Sequence, residues 1–119
     1  MTQLIPLHSQ TIDGNAVETV NARELHTFLE SKQDFSTWIK NRIEKYEFVE
    51  NQDYIMLHKK MELSKPGQMG IDYHITLDMA KELAMVERTE KGKQARQYFI
   101  ECEKKQAQAL KALSNIALD

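Results

Sequence analysis

The stretch Ile71–Lys105, IDYHITLDMAKELAMVERTEKGKQARQYFIECEKK, decides the fold, because strand, helix, basic turn and helix follow one another in it without a gap. Ile71, Tyr73 and Ile75 alternate with Asp72, His74 and Thr76, the period of a strand with one buried face. Thr76 stands where it can cap a helix that has Asp78 in its first turn and Met79, Ala80, Leu83, Ala84 and Val86 as an apolar stripe. Thr89 opens a second helix, in which Ala95, Tyr98, Phe99 and Cys102 recur on one side. Gly92 costs that helix about 1 kcal/mol relative to alanine, so the close approach of another backbone is expected there. Between the stripes Arg88, Lys91, Lys93 and Arg96, interrupted by the single acid Glu90, form a basic cluster in a chain whose net charge is -2.

The 119 residues suffice for one domain with a core and are too few to expect two. Hydrophobic residues at 41% and charged residues at 29% fit a globular chain rather than a disordered one. No apolar run reaches the length of a membrane span, and MTQLIPLHSQ at the N-terminus has neither a basic leader nor a sustained apolar stretch. A cytoplasmic protein without membrane contact is therefore expected. Cys102 has no second cysteine to pair with, and its helical position predicts a small buried hydrophobe.

Upstream, Asp13-Gly14-Asn15 between short apolar pieces predicts a small N-terminal hairpin. Asn21 to Glu24 resembles a capping box, with Asn21 accepting from the first turn and Glu24 reaching back, ahead of a helix that ends near Ser31. Asp34 can cap the next helix, where Phe35, Trp38, Ile39, Arg42, Ile43 and Tyr46 lie at helical spacing. The two helices make a helix-turn-helix-like pair whose outer side carries Lys40, Asn41 and Lys45. Tyr54 to Lys59 then reads as a strand, followed by a polar loop over 61–70 whose Pro66, Gly67 and Gly70 stop both strands. Lys59, Lys60 and Lys65 make this long hairpin a candidate wing laid on phosphates, against the simpler reading of a lysine-protected solvated loop. Beyond the domain, Gln106, Ala109, Leu110, Leu113, Ile116 and Ala117 extend the last helix with an apolar stripe.

Chemistry is sparse. The four histidines fall on different elements and only His58 and His74 are placed to meet, across the long hairpin, so no metal is expected. Gly67 and Gly70 lack the lysine and hydroxyl of a phosphate loop, and no serine has a nucleophile-elbow context. The carboxylates sit among lysines as solvated pairs. Neither an enzyme nor a cofactor is expected.

The run from Asp34 to Ile43, DFSTWIKNRI, with Tyr46, Phe48, Glu50, Asn51, Asp53 and Tyr54, resembles the signature of the AntA/AntB family of phage antirepressors. The run Lys91-Gly92-Lys93 with Ala95, Arg96, Tyr98, Phe99, Ile100 and Glu101-Cys102-Glu103-Lys104 is similar to a segment found in phage antirepressors more widely. The resemblance covers about Val20 to Lys105 and implies an α+β domain; with the spacing read above, a small single domain is expected over residues 1–105, with a helix-turn-helix-like pair, a basic β-hairpin and a long C-terminal helix, and a helical extension over 106–119. It implies a protein of a bacterial host's phage or prophage that binds and inactivates a repressor, releasing lytic genes. The competing function is a DNA-binding regulator that uses the helix pair and the hairpin. Position 47 departs from the pattern, since Glu47 stands where a helix-ending glycine is expected. Arg42 and Arg96 lie beside apolar stripes, where either a carboxylate such as Glu24 or Glu50 or a binding partner would take them. The site residues expected to meet repressor or DNA are Lys40, Asn41, Lys45, Lys59, Lys60, Lys65, Arg88, Lys91, Lys93 and Arg96. Leu110, Leu113 and Ile116 are expected to form a homodimer.

Overall fold

The computed structural model describes residues 4–60 and 69–117. Its elements run β1 (Leu7–Ile12), β2 (Asn15–Asn21), α1 (Ala22–Leu29), α2 (Phe35–Lys45), β3 (Tyr54–Lys60), β4 (Met69–Thr76), α3 (Leu77–Val86) and α4 (Glu90–Ala117). The α+β class is as expected, and the two hairpins are one sheet of order β1-β2-β4-β3, antiparallel throughout. Asp13 and Gly14 both have positive φ, the backbone of a two-residue turn between Ile12 and Asn15. The hairpins are joined by only three paired positions: Thr19 with Thr76, Val20 with Ile75 and Asn21 with His74.

Asn21 and Thr76 close their strands and open their helices with no loop between. The Asn21 side chain accepts from the amides of Arg23 and Glu24, and Thr76 Oγ1 accepts from the Met79 amide. The expected return bond from Glu24 is replaced, because its carboxylate meets His8 Nε2 at 2.9 Å. Asp34 caps α2 by accepting from the Thr37 amide at 2.9 Å, and this bond is the first cause that holds its carboxyl below the ordinary range. A depressed folded pKa means that the cap is fully effective above the unfolded value and is lost as pH falls through the folded one. Thr89 caps α4 by accepting from the Gly92 amide.

Helix ends break the sequence pattern without breaking the helices. Glu30, Glu47 and Arg88 all adopt left-handed backbone just past α1, α2 and α3, although none is glycine. At Glu47 the cap closes in full, since Phe48 donates to the Ile43 carbonyl and Glu47 to that of Glu44. The connector between α1 and α2 is held by His26 Nε2, 2.7 Å from the Gln33 carbonyl oxygen.

Val20, Leu25, Trp38, Ile39, Ile75, Leu83, Ala95 and Phe99 are buried completely and come from the sheet and every helix. Met79, Ala80, Leu83 and Ala84 of α3 face this core, as the stripe requires. Gly92 is where α4 meets α3: a Cβ added there would lie 2.4 Å from the Ala84 carbonyl oxygen. Two readings are corrected. Met69 and Gly70 belong to β4, opposite Lys60 and Lys59, because the ladder continues through the glycine. Cys102 is only half-buried, since α4 leaves the core one turn after Phe99.

Two substitutions of opposite sign test these backbone features in one urea series. Gly92→Ala pushes a methyl into the Ala84 carbonyl and should cost about 1–3 kcal/mol, as overpacking does. Glu47→Gly removes a left-handed penalty and should stabilise by roughly 1 kcal/mol.

Candidate interaction surface

Helix α2 is held by few side chains. Trp38 and Ile39 enter the core, and Phe35 packs edge-on against Tyr73 of β4 at 6.0 Å between ring centroids. Arg23 of α1 completes this contact: its guanidinium lies 4.3 Å over the Phe35 ring, donates to the Ile71 carbonyl and stands 3.7 Å from Asp72. The start of α2 and the arm of the β3–β4 hairpin therefore share one side of the molecule. Burial on this side raises the phenols of Tyr54 and Tyr73, with Glu50 adding to both. Arg23 was not among the expected site residues, and its place follows from the β2–β4 pairing, which carries no local signature.

Lys40, Asn41 and Lys45 are exposed on α2 as expected, with Lys45 Nζ 5.6 Å over the Tyr46 ring. Lys59 and Lys60 occupy the far end of β3, and Lys65 lies outside the described residues. The basic cluster around Gly92 is divided among different surroundings. Lys91 Nζ lies 5.0 Å over the Phe28 ring of α1. Lys93 edges a hollow with Leu4, Tyr98 and Cys102, whereas Arg96 edges another with Asp53, Asp78 and Glu82. Arg88 is exposed in the turn before α4.

Arg42 finds neither Glu24 nor Glu50. Its guanidinium donates to Glu87 at 2.7 Å, tying the end of α2 to the end of α3, with 21% and 11% of the two side chains exposed. Glu87 is the first residue after α3, so this partner follows from how the helices end rather than from any spacing. Lys81 joins α3 to α4 through Glu103 at 2.9 Å, the contact chiefly responsible for raising its pKa.

His58 and His74 are not paired across the hairpin, since the register sets His58 opposite Ile71 and His74 opposite Ile55. His74 lies instead beside His8, with 5.5 Å between ring centroids, because β2 brings β1 toward β4. No group of three or more potential ligands could hold a metal among the described residues. No helix among them is long and apolar enough to cross a membrane.

Along α4, the Tyr98 hydroxyl donates to the Ile5 carbonyl at 2.7 Å and pins the N-terminal segment. Burial, then the bond with Cys102, pushes this phenol up to about 12, and burial likewise raises the Cys102 thiol. Farther on, Ala109 and Leu110 edge a hollow with Ala16 and Val17 of β2, yet Leu110 and Leu113 remain 68% and 64% exposed. Ile116 lies in the last turn of α4.

A helix pair thus stands against a β-hairpin, with Lys40, Asn41 and Lys45 displayed on its outer side. The sequence model of the AntA/AntB antirepressor family matches residues 20–89, and the chain belongs to that family. The match spans the end of β2 through α3 and leaves α4, with its Lys91–Lys104 motif, outside. No curated protein and no solved structure gives a significant match.

Breaking the Arg42–Glu87 pair from one side should cost about 2 kcal/mol, below the fully buried range because water reaches both groups. Arg42→Met and Glu87→Leu together should recover most of that loss. A double-mutant cycle in urea checks it, and additive costs would show that the pair does not interact.

Proposed function

We propose that the chain is a phage antirepressor that binds a repressor protein and removes it from its operator, without a catalytic step. The observation that carries this reading is the family match over residues 20–89, which takes in the helix pair, the hairpin and α3. The charge distribution supports a protein target over DNA. Net charge is -2, and the basic side chains are dispersed, whereas affinity for DNA depends on concentrated phosphate contacts. The test uses the repressor of the same phage on a labelled operator duplex in a gel-shift assay. Adding the chain should return the duplex to its free mobility, and a chain that leaves the repressor on the operator sinks the reading.

One observation favours a second reading, DNA binding by the chain itself: α2 and the hairpin arm share a side through Phe35, Tyr73 and Arg23. In that case the chain alone shifts duplex DNA. Changing Lys59, Lys60 and Lys65 to Gln then flattens the salt dependence by about three phosphate contacts.

The chain is also proposed to form a homodimer through the exposed stripe of α4. Two leucines as open as Leu110 and Leu113 are expected to seek cover, and each buried leucine contributes roughly 1.5–3 kcal/mol toward the cost of association. Light scattering at micromolar concentration should give twice the chain mass for the wild type and the single-chain mass for Leu110→Lys with Leu113→Lys. A dimer that survives both changes places the contact elsewhere.

A further inference from the structure

Helix α4 puts one face to two uses. Ala95 and Phe99 are buried completely in the domain core, and Gly92 on the same side meets the Ala84 carbonyl oxygen. Steps of seven residues, which drift by only about 20° on a helix, carry this line from Phe99 through Gln106 to Leu113, with Leu110 beside it. The domain covers the face as far as Gln106, which is half-buried with its amide nitrogen enclosed. Beyond that point Leu110 and Leu113 stand open to solvent.

A hollow of about 570 Å³ lies where the cover ends, with Ala16, Val17, Thr76 and Leu77 on one side and Ala109 and Leu110 on the other. Leu110 thus belongs both to the hollow and to the stripe, which form one continuous apolar surface. Lys111, the one charged residue from Gln106 to Leu113, falls by helical spacing well away from this face. An uncharged surface with a ridge at one end and a hollow at the other fits a copy of itself, since each copy supplies both halves.

We propose that a second copy covers this surface in the antiparallel sense, its α4 laid along residues 106–117 and its last turn seated in the hollow beside β2. The proposal rests on the homodimer reading above and names the two surfaces that meet. Sterics choose the direction. Packed helices stand about 8–10 Å apart, and the face to be paired is the one that the domain fills up to Gln106. Parallel helices joined by that face would drive one domain into the other. Antiparallel helices avoid the collision, because each domain then lies past the end of the opposite helix. Leu110 of each copy meets Leu113 of the other, which brings the last turn of one α4 over Gln106 and Ala109 of its partner. Three turns of helix alone make a small contact. The two hollows, related by the same twofold axis, bring it toward the size that a stable dimer needs.

Cys102, the single cysteine, gives the readout. A spin label on it, in a chain that keeps twice the single-chain mass, reports the distance to its copy by pulsed electron paramagnetic resonance. The antiparallel register sets the two labels about 30 Å apart by helical rise, against about 10 Å for a parallel pair. If labelling Cys102 disturbs the mass, Lys104→Cys in a Cys102→Ser chain replaces it, with about 22 Å expected. The second arm fills the hollow from β2 without touching α4: Ala16→Arg, at an exposed position and shown to be folded by circular dichroism, should raise the dimer Kd at least tenfold. Should that variant not fold, Glu18→Trp at the same rim carries the same expectation. Labels near 10 Å overturn the proposal and leave a homodimer standing, as does a folded Ala16→Arg chain that dimerises with wild-type affinity. A wild type of single-chain mass sinks both readings.

Discussion

Three backbone pairings between β2 and β4 hold the domain together. Val20 and Ile75 face each other there, both completely buried, and Thr19 is sealed beside them. One residue beyond Val20 and one beyond Ile75 the strands end in Asn21 and Thr76, whose side chains cap α1 and α3. A slip of one residue would turn Val20 and Ile75 to the wrong face and carry both caps away from the amides they serve. Sheet register and the starting points of two helices are thus one choice. Because the joint is so short, its specificity comes from burial and capping more than from the number of ladder bonds.

The elements that declare themselves locally were legible in the sequence. Asp13-Gly14 marks its turn, the caps at Asn21, Asp34, Thr76 and Thr89 stand where side-chain oxygens predict them, and Gly92 announces the contact with Ala84. What was not legible depends on chain segments far apart. The joining of two hairpins into one sheet leaves no periodicity of its own, and with it went the neighbours His8 and His74 and the place of Arg23. Arg42 was recognised as half-buried, but its partner Glu87 is 45 residues away and is chosen by how two helices end. At Glu47 tertiary fit overrode residue preference, since Phe48 packs against the core only if the chain turns left-handed before it.

The candidate surface illustrates why totals of charge say little about partners. A chain that sums to -2 keeps lysines on α2 and along α4, and gathers carboxylates beside α3. In linear order these acids alternate with apolar and basic residues and look like ordinary solvated pairs. Folding sorts them, because the bond from the Thr76 amide to the Asp53 carbonyl holds Asp53 at the start of α3, where it shares a hollow with Asp78 and Glu82. The basic cluster read from Arg88 to Arg96 meets the reverse fate, with Arg88 left in the turn and helical geometry spreading Lys91, Lys93 and Arg96 around α4. Contiguity in sequence and contiguity on a surface differ most where a helix supplies the charges.

Trp38 is the only tryptophan, is completely buried, and lies 5.2 Å from the His26 ring and 6.3 Å from that of Phe35. Its indole nitrogen has no hydrogen-bond partner among the described residues. The fluorophore therefore sits in a dry setting, between the helix that carries it and the imidazole that closes the connector. Its emission should be blue-shifted, as that of a fully buried indole is. Since α2 is held by so few side chains, the dye that nature placed there reports the seating of one helix, and it can change colour while the sheet beneath stays intact.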